Sequence, residues 1–436
     1  MNNTYIRSSK HDLKFANTQK RSDIAKIVNE YRRVLGLVVD HVWENGYEWE
    51  DKDGKYRFCV QKNLLKFPMY VDYKKFAIET FLTSRALSTL CTQAAGIINA
   101  AVKKQKKRLY MLWNMKAEGL NKEKRKRLSK KIKQNIPQKP CCNNANMEIS
   151  SKCCDWEDSG KEFFGFLRLR SITKDKTEIC IPIKAHSHMR RLEKNGKRMG
   201  SFLISDKIAN VRWEISKPEQ KIEGETIGAD QGLKDVLTCS NGMKTPKADI
   251  HGHSLESILE KLLRKRKGSK AFKRAAEHRE NHINWSINRL NLHNVKEIRL
   301  EKITNIGYGQ RKSRNLSHWT NTAIRDKIEA LCEENGVRLK HQSSVYRSQR
   351  CSNCGIVRKA NRKGKIYSCK HCGLEIDADF NASLNHEANL SEIPYTFCAE
   401  KLNRGNGFYW LESGLHEYKT GRSLESLLAK NPSDRS

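Results

Sequence analysis

The stretch 351-CSNCGIVRKANRKGKIYSCKHCGLEIDADFN-381 decides how the second half of the chain folds. It contains two Cys-x-x-Cys pairs, Cys351/Cys354 and Cys369/Cys372, separated by fourteen residues, and a glycine follows the second cysteine of each pair. Two such pairs place four thiolates at the corners of a tetrahedron, which is the coordination that Zn²⁺ prefers. The spacing therefore predicts a zinc ribbon with one structural Zn²⁺, because four protein ligands leave no coordination position open for a substrate.

Acidic residues flank this ribbon in the sequence, each at the end of an apolar segment or the start of a helix. The three candidates are Asp230 in TIGADQGLKDVLT (226–238), Glu301 in VKEIRLEKITNI (295–306) and Asp379 in DADFNAS (377–383). Carboxylates from separate strands and a helix can hold two Mg²⁺ ions about 3.5–4 Å apart, an arrangement that hydrolyses phosphodiesters. The pattern is typical of an RNase H-like nuclease sheet. Taken singly, each acid is equally compatible with a surface position or, for Asp379, with a helix N-cap.

The composition points to a polyphosphate partner. The 436 residues include 84 Lys+Arg against 49 Asp+Glu, a formal charge of +35, and 37% are hydrophobic. No apolar run approaches the ~20 residues that span a bilayer, and MNNTYIRSSKHDLK at the start lacks the apolar core of a secretory signal. Apart from the ribbon, the cysteines form no regular disulfide framework. We therefore expect no membrane association and a reducing, cytoplasmic location.

One segment concentrates the positive charge. Between Lys103 and Lys139 there are fifteen Lys/Arg and only two acids, with Tyr110 and Trp113 interleaved. A solvated helical face would also explain this run, but the ratio favours contact with a nucleic-acid backbone. A second basic run lies in a predicted long helix, Leu255 to about Leu290. The candidate nucleic-acid-binding residues are Lys103, Lys104, Lys106, Lys107, Arg108, Arg125, Lys126, Arg127, Arg264 and Arg266.

The first half of the chain predicts helices followed by strands. A helix is expected to begin near Ser22-Asp23, with an apolar stripe formed by Ile24, Ile27/Val28, Tyr31, Val34/Leu35, Val38 and Val42, and a second helical block is expected near Tyr73. A small β-barrel or sheet module is expected over Glu162 to Ile215, where Leu167 and Leu169 alternate with Arg168 and Arg170. Vicinal cysteines, Cys141-Cys142 and Cys153-Cys154, offer a metal site, but adjacent thiols do not fit the usual Cys-x-x-Cys chelate.

Together, IGADQGLKDVLT, IRLEKITNIG, the SQRCSNCG…YSCKHCG ribbon and DADFNASLN resemble the RuvC nuclease of the TnpB family, the apparent ancestor of miniature type V (subtype V-F) CRISPR effectors. The resemblance is specific over roughly residues 226–385. Trp319 matches a tryptophan that is frequent in the compact effectors, whereas Arg347 stands where a small hydroxyl residue is more usual. Asp377 is a neighbour that could replace Asp379 in the match.

The resemblance implies a multidomain α/β chain: an RNase H-like (RuvC) nuclease domain with an inserted zinc ribbon, an N-terminal helical recognition lobe and a small β-barrel. The implied domains are 1–72 (N-terminal part of a wedge-like module with the first helix), 73–140 (basic helical recognition lobe), 141–222 (β-barrel), 223–345 (RuvC-like), 346–376 (zinc ribbon), 377–390 (RuvC-like C-terminal segment) and 391–436 (tail). The tail is expected to be a small packed helix or a flexible extension.

The implied activity is RNA-guided DNA cleavage. Asp230, Glu301 and Asp379 would be catalytic and would bind two Mg²⁺, with one Zn²⁺ on Cys351, Cys354, Cys369 and Cys372. Guide RNA and target DNA are the implied partners, a homodimer on one guide RNA remains an option, and the cell would be a prokaryote or one infected by a phage.

Three other functions stay open on the sequence. A guide-RNA-dependent DNA-binding regulator or a transposon accessory protein would lack productive cleavage, and a transposase proper would join strands at transposon ends. A basic RNA-binding module with a zinc ribbon would leave the three acids unexplained.

Overall fold

Two units of nearly equal length make up the chain, Met1–Ser216 and Lys217–Ser436. The structure is a computed structural model. It describes residues 3–50, 56–59, 68–117, 123, 126, 129–130, 139–159, 162–233, 235–303, 321–393, 402 and 406–418. Within these residues, no helix is both long enough and apolar enough to cross a membrane.

Among the described residues, the first unit combines three α-helices with nine strands. In chain order they are β1 (Thr4–Asp12), α1 (Thr18–Asn45), β2 (Tyr47–Glu50), β3 (Tyr56–Cys59), α2 (Ser84–Ala117), β4 (Met147–Ile149), β5 (Cys154–Asp158), β6 (Gly165–Leu169), β7 (Ile179–Ile183), α3 (Ser187–Asn195), β8 (Gly196–Ile204) and β9 (Ile208–Ser216). The strand β1 was not predicted, although it pairs with β9 over nine residues.

Helix α1 begins one turn before the predicted Ser22-Asp23 start. The side chain of Asn17 accepts a hydrogen bond from the Lys20 amide and caps the helix there. The predicted apolar stripe is confirmed, since Ile24, Val28 and the residues that follow it at helical spacing are buried in the core of this unit. Helix α2 begins at Ser84, after the Tyr73 start that we predicted for the second helical block.

The predicted small β-barrel is wrong. The strands form an open four-stranded sheet in the order β1-β9-β8-β4 and a separate three-stranded sheet in the order β5-β6-β7. A barrel closes only when its first and last strands pair, and among the described residues β1 and β4 remain the edges of the larger sheet. The predicted alternation in β6 is confirmed, because Leu167 and Leu169 are buried while Arg168 is exposed.

The second unit is a mixed α/β arrangement with two small additional sheets. In chain order it contains β10 (Glu225–Gln231), β11 (Leu237–Cys239), α4 (Leu255–Leu263), α5 (Lys270–Ile287), β12 (Val295–Lys302), α6 (Asn321–Asn335), β13 (Arg338–Ser343), β14 (Ile356–Val357), β15 (Arg362–Lys363), β16 (Ile366–Ser368), β17 (Glu375–Asp377), α7 (Ala378–Glu387), β18 (Phe408–Leu411) and β19 (Gly414–Glu417).

The main sheet of this unit has the order β11-β10-β12-β13. β10 and β11 form an antiparallel hairpin, and β12 and β13 join in parallel. Helix α7 packs on β10, and one apolar core runs between the sheet and α4, α5 and α6. Parallel strands bring their carboxyl ends to one edge, where candidate ligands meet.

Two findings in this unit differ from the predictions. The expected helix from Leu255 to Leu290 is two helices, α4 and α5, because Gly268 adopts a positive φ of 86° in the segment that separates them. The tail is neither a helix nor an extension over 406–418: β18 and β19 form a hairpin, and β18 pairs with β14 of the ribbon.

Candidate active site and metal centres

Asp230 and Glu301 lie side by side at the carboxyl ends of β10 and β12. The parallel register pairs Ala229 with Leu300, so the next residue of each strand is one of these acids. Gln231 strengthens the junction, since its Nε2 donates a hydrogen bond of 2.9 Å to the Glu301 carbonyl. Asp230 is buried, with 8% of its surface exposed.

Helix α7 brings the third acid, Asp379, to the same edge. Asp377 caps the helix by accepting hydrogen bonds from the amides of Asp379 and Phe380, so the cap is Asp377 and not Asp379. Asp379 then lies in the first turn and is buried. The helix can approach β10 this closely because Gly228 has no side chain: a Cβ there would lie 1.9 Å from the Ser383 carbonyl oxygen.

Burial and neighbouring charges raise the pKa of two of these carboxyls. The pKa of Asp230 is raised well above its usual range by burial, and then by the charges of Glu301 and Asp379. Burial also raises the pKa of Glu301 to about 7. Both shifts report a site in which several negative charges are held together away from water, which a divalent cation would relieve.

Asp379 has cationic partners from the ribbon. Arg362 Nη2 lies 3.0 Å from Asp379 Oδ1, and Lys365 Nζ bonds to Asp379 Oδ2. The same Lys365 ammonium lies 3.1 Å from Asp235 Oδ2. These two cations and Asp235 are functional candidates that the sequence reasoning missed, because they lie far from Asp379 in the motif pattern.

His386 was also missed. Its Nε2 lies 4.0 Å from Asp230 Oδ1, and Asp230, Glu301 and His386 can each present a ligand atom within 4.8 Å of the others. Burial, and then the charge of Arg347, lowers its pKa to about 3, so the imidazole is neutral and able to bind a metal. The signal was its position seven residues after Asp379, which places both side chains on one face of a helix.

The four ribbon cysteines converge. Cys351 Sγ lies 3.6 Å from Cys372 Sγ, and Cys354 Sγ lies 3.7 Å from Cys369 Sγ. A tetrahedral zinc site with Zn–S bonds of about 2.3 Å has edges of about 3.8 Å. Each pair also forms the same turn, closed by Gly355 and Gly373 with φ values of 74° and 77°. The residues therefore fit one Zn²⁺ with four thiolates.

Arg347 has a structural place. Its guanidinium is fully buried, donates to the Ser343 and Asn385 carbonyls, and lies 5.1 Å from the centre of the Trp410 ring. It therefore connects the segment before the ribbon to α7 and to β18. A small hydroxyl residue could not make these contacts.

The basic candidates lie in both units of the chain. Lys103, Lys104, Lys106 and Lys107 are exposed on α2, which also contains Arg108, and Lys126 is exposed further along. Arg264 and Arg266 are exposed in the segment between α4 and α5. Arg125, Arg127 and Trp319 lie outside the described residues.

The vicinal cysteine pairs do not form a metal cluster among the described residues. Cys142, Cys153 and Cys154 are buried thiols, while Cys141 is exposed. The Cys154 thiol lies 3.3 Å from both the Ser150 and the Gly200 carbonyl oxygens. These contacts are those of a packed, uncoordinated cysteine.

Comparison with known proteins finds similarity to Cas12f1-like and TnpB-like proteins. Residues 322–386 match the family model of the Cas12f1-like TNB domain. The chain is 40% identical over 89 residues to the CRISPR-associated endodeoxyribonuclease Cas12f1 of Sulfoacidibacillus thermotolerans, covering 20% of this chain and 21% of the relative. It is 30% identical over 91 residues to a TnpB-like protein of Aquifex aeolicus, covering 20% and 30%.

Among solved structures, the chain aligns with that of a Cas12f1–sgRNA–target DNA complex, at a TM-score of 0.44 and 13% identity over 88% of this chain and 99% of that one. The resemblance drawn from the sequence is confirmed: this chain is similar to TnpB-like miniature type V effectors. The matched segments span about a fifth to a third of the length of these two curated relatives.

Proposed function

We propose that this chain is an RNA-guided DNA endonuclease that hydrolyses phosphodiesters at a RuvC-like site formed by Asp230, Glu301 and Asp379. The observation that carries the proposal is the convergence of three acids from two parallel strands and a helix on one buried edge. Packing three carboxylates together without a cation is unfavourable, and two-metal nucleases use this donor set.

Each residue at the carboxylate edge has a proposed role. Asp230, Glu301 and Asp379 would hold two Mg²⁺, with His386 beside Asp230 as an additional donor. Bound Mg²⁺ supplies Lewis acidity, which makes water a better nucleophile and stabilises the leaving oxygen. Gln231 fixes the Glu301 backbone. Arg362 and Lys365 form ion pairs with Asp379 and place positive charge beside the carboxylates.

Guide RNA and target DNA are the proposed partners. Base pairing reads the sequence in guided effectors, while the protein contacts the backbone and the shape of the heteroduplex. The exposed lysines of α2 are suited to that role. The ribbon would hold one structural Zn²⁺. We propose the same domains as the sequence predicts, with an open-sheet module instead of a β-barrel at residues 141–222. A homodimer on one guide RNA remains a prediction.

The test is cleavage by Asp230→Ala, using the RNA that co-purifies with the chain as the guide after it has been sequenced. We expect Mg²⁺-dependent cleavage of matched DNA to fall to about a thousandth or less, since several kcal/mol of transition-state stabilisation is lost, with RNA and DNA binding retained. Asp326→Ala is the matched control, because Asp326 is an exposed acid of α6 paired with Arg325.

Undiminished cleavage by Asp230→Ala would overturn the site. Wild-type protein that binds guided DNA without cutting it would instead support the regulator, and strand joining at transposon ends would support a transposase. Random cellular RNA in the purified protein would count against guidance.

A further inference from the structure

A cluster of histidines around Asp249 lies apart from the carboxylate edge in the sequence and plays no part in the proposed cleavage. The loop that precedes α4 turns tightly here: one Asp249 oxygen, Oδ1, accepts hydrogen bonds from the amides of His251 and His253, each at 2.9 Å. Gly252 permits the turn with a φ of 76°. The second oxygen, Oδ2, is left for other partners.

Two histidines approach that second oxygen. His253 Nδ1 lies 3.6 Å from Asp249 Oδ2, and His278 Nε2, which belongs to α5, lies 4.0 Å from it. The three residues can present ligand atoms that all lie within 4.8 Å of one another. The separations are too long for ordinary hydrogen bonds. They are close to the distances of about 3.3–3.5 Å between ligands bound at 2.0–2.2 Å to a tetrahedral zinc ion.

Unsatisfied ring nitrogens are a second, independent observation. His253 Nδ1 is buried and has no hydrogen-bond partner among the described residues, and neither has His282 Nδ1. Buried polar atoms are rarely left without a partner in a folded protein. His282 follows His278 by four residues on α5, the spacing that places two histidines on one helix face for metal binding.

We propose that Asp249, His253 and His278 form a second zinc site, separate from the four cysteines, with His282, one turn further along α5, as an additional donor. Two imidazoles and one carboxylate suit Zn²⁺ and not Mg²⁺, which selects oxygen ligands. Zinc bound here pins the loop at 249–253 to α5. It therefore stiffens the base of the α4–α5 pair, whose connecting segment presents Arg264 and Arg266.

The experiment measures zinc in the full chain by equilibrium dialysis against about 10 μM free Zn²⁺, a concentration well above the dissociation constant of a typical zinc site of this kind, followed by elemental analysis. We expect two zinc ions per chain for the wild type and one for the double variant Asp249→Asn/His278→Gln. His293→Gln, which changes an exposed histidine outside the cluster, should retain two.

A thermal readout separates metal loss from misfolding. Without added Zn²⁺ the double variant should melt close to the wild-type temperature, because the side-chain oxygen of the asparagine can still accept the hydrogen bonds of the His251 and His253 amides. With Zn²⁺ the wild type should gain about 5 °C and the variant should gain less than half of that. Equal zinc content in wild type and double variant, whatever the nuclease activity, would overturn the second site.

Discussion

Asp230 and Glu301 are held in a site that disfavours their own charge. Burial raises the pKa of both carboxyls, and the charges of Glu301 and Asp379 raise that of Asp230 further. At these two groups the folded chain therefore binds protons more tightly than the unfolded chain does. Their contribution to stability is therefore fully present below the unfolded pKa of about 4.5 and is lost as the pH rises through the folded value of about 7 for Glu301.

This residue-scale argument predicts a pH-dependent response to magnesium. In magnesium-free buffer we expect the melting temperature of the second unit to fall between pH 5 and pH 8, and added Mg²⁺ to raise it more at pH 8 than at pH 5. Asp230→Asn should stabilise the magnesium-free chain at pH 8 and abolish the Mg²⁺ response, because it removes one of the repelling charges.

Scanning fluorimetry without chelators checks this prediction, since a chelator would also strip the cysteine cluster of zinc. Asp326→Asn, at an exposed ion pair, serves as the control and should behave as the wild type does. If Mg²⁺ raised the melting temperature equally at the two pH values, this would contradict the raised pKa of Asp230 and Glu301.

Single residues also show where sequence reasoning stopped. The acids at the strand ends were predictable, because an apolar run that ends in a carboxylate is visible in the letters. The separate roles of Asp377 and Asp379 were not predictable, because both lie at the start of the same helix. Only the structure shows that Asp377 caps it. Lys365 and Asp235 join the site through folding alone, and no local spacing pairs them with Asp230. His386 was signalled only by its position seven residues after Asp379.

At the scale of elements, the contact between α7 and β10 decides whether Asp379 reaches the other acids. Gly228 makes this contact possible, because a methyl group there would overlap the Ser383 carbonyl and the Glu387 amide at 1.9 and 2.3 Å. Both atoms belong to the helix backbone, so no side-chain rotation can relieve the overlap. The helix as a whole must move.

Gly228→Ala should therefore abolish cleavage and lower the free energy of unfolding by about 3 kcal/mol or more, as overpacking at a rigid contact does. The measurements are chemical denaturation and the guided cleavage assay. Gly36→Ala is the matched control: no atom lies within 4 Å of a Cβ there, and alanine in the middle of α1 should stabilise by up to about 1 kcal/mol. Wild-type cleavage by Gly228→Ala would mean that α7 does not position Asp379.

Helices and strands were predicted well where apolar residues repeat at a regular spacing. They were predicted poorly where the chain turns within a segment of uniform composition. The apolar stripe of α1 was correct because burial repeats at helical spacing. The division between α4 and α5 was missed, because lysines and arginines run through it without interruption and Gly268 was the sole conformational signal. The edge strand β1 was missed because its partner β9 lies about two hundred residues away.

At the scale of the whole molecule, the charge of +35 is spread over both units. Removing the segment from Lys103 to Lys139 would still leave the chain at +22. Exposed basic residues are found on α2 and again between α4 and α5. A protein that contacts a long nucleic-acid backbone at many places binds it with a steep dependence on salt.

This distribution of charge predicts how the salt dependence of RNA binding changes when lysines of α2 are replaced. Replacing Lys103, Lys104, Lys106 and Lys107 by glutamine should reduce the slope of log affinity against log salt by about 3 for guide RNA, since each lost phosphate contact removes about 0.7–0.9. The corresponding lysine-to-arginine variant preserves charge and should keep the wild-type slope. Fluorescence anisotropy between 50 and 200 mM salt measures both, and an unchanged slope in the glutamine variant would remove α2 from the RNA interface.

The sequence predicted the mixed α/β fold class, but it wrongly predicted that strands of the first unit close into a barrel. Alternating Leu and Arg residues correctly indicated strands with one buried face. Whether such strands close into a barrel depends on which edges meet, and that information is distributed over the N-terminus and two separate sheets.

The pairing of β18 with β14 has a consequence for the order of synthesis. Val357 in the ribbon pairs with Phe408, which the ribosome adds fifty-one residues later. The cysteines are therefore translated well before the hairpin that completes their sheet, and Asp379 is likewise made long after Asp230. A nascent or prematurely terminated chain that stops before residue 379 carries the first two acids without the third, so the carboxylate edge assembles only late in translation.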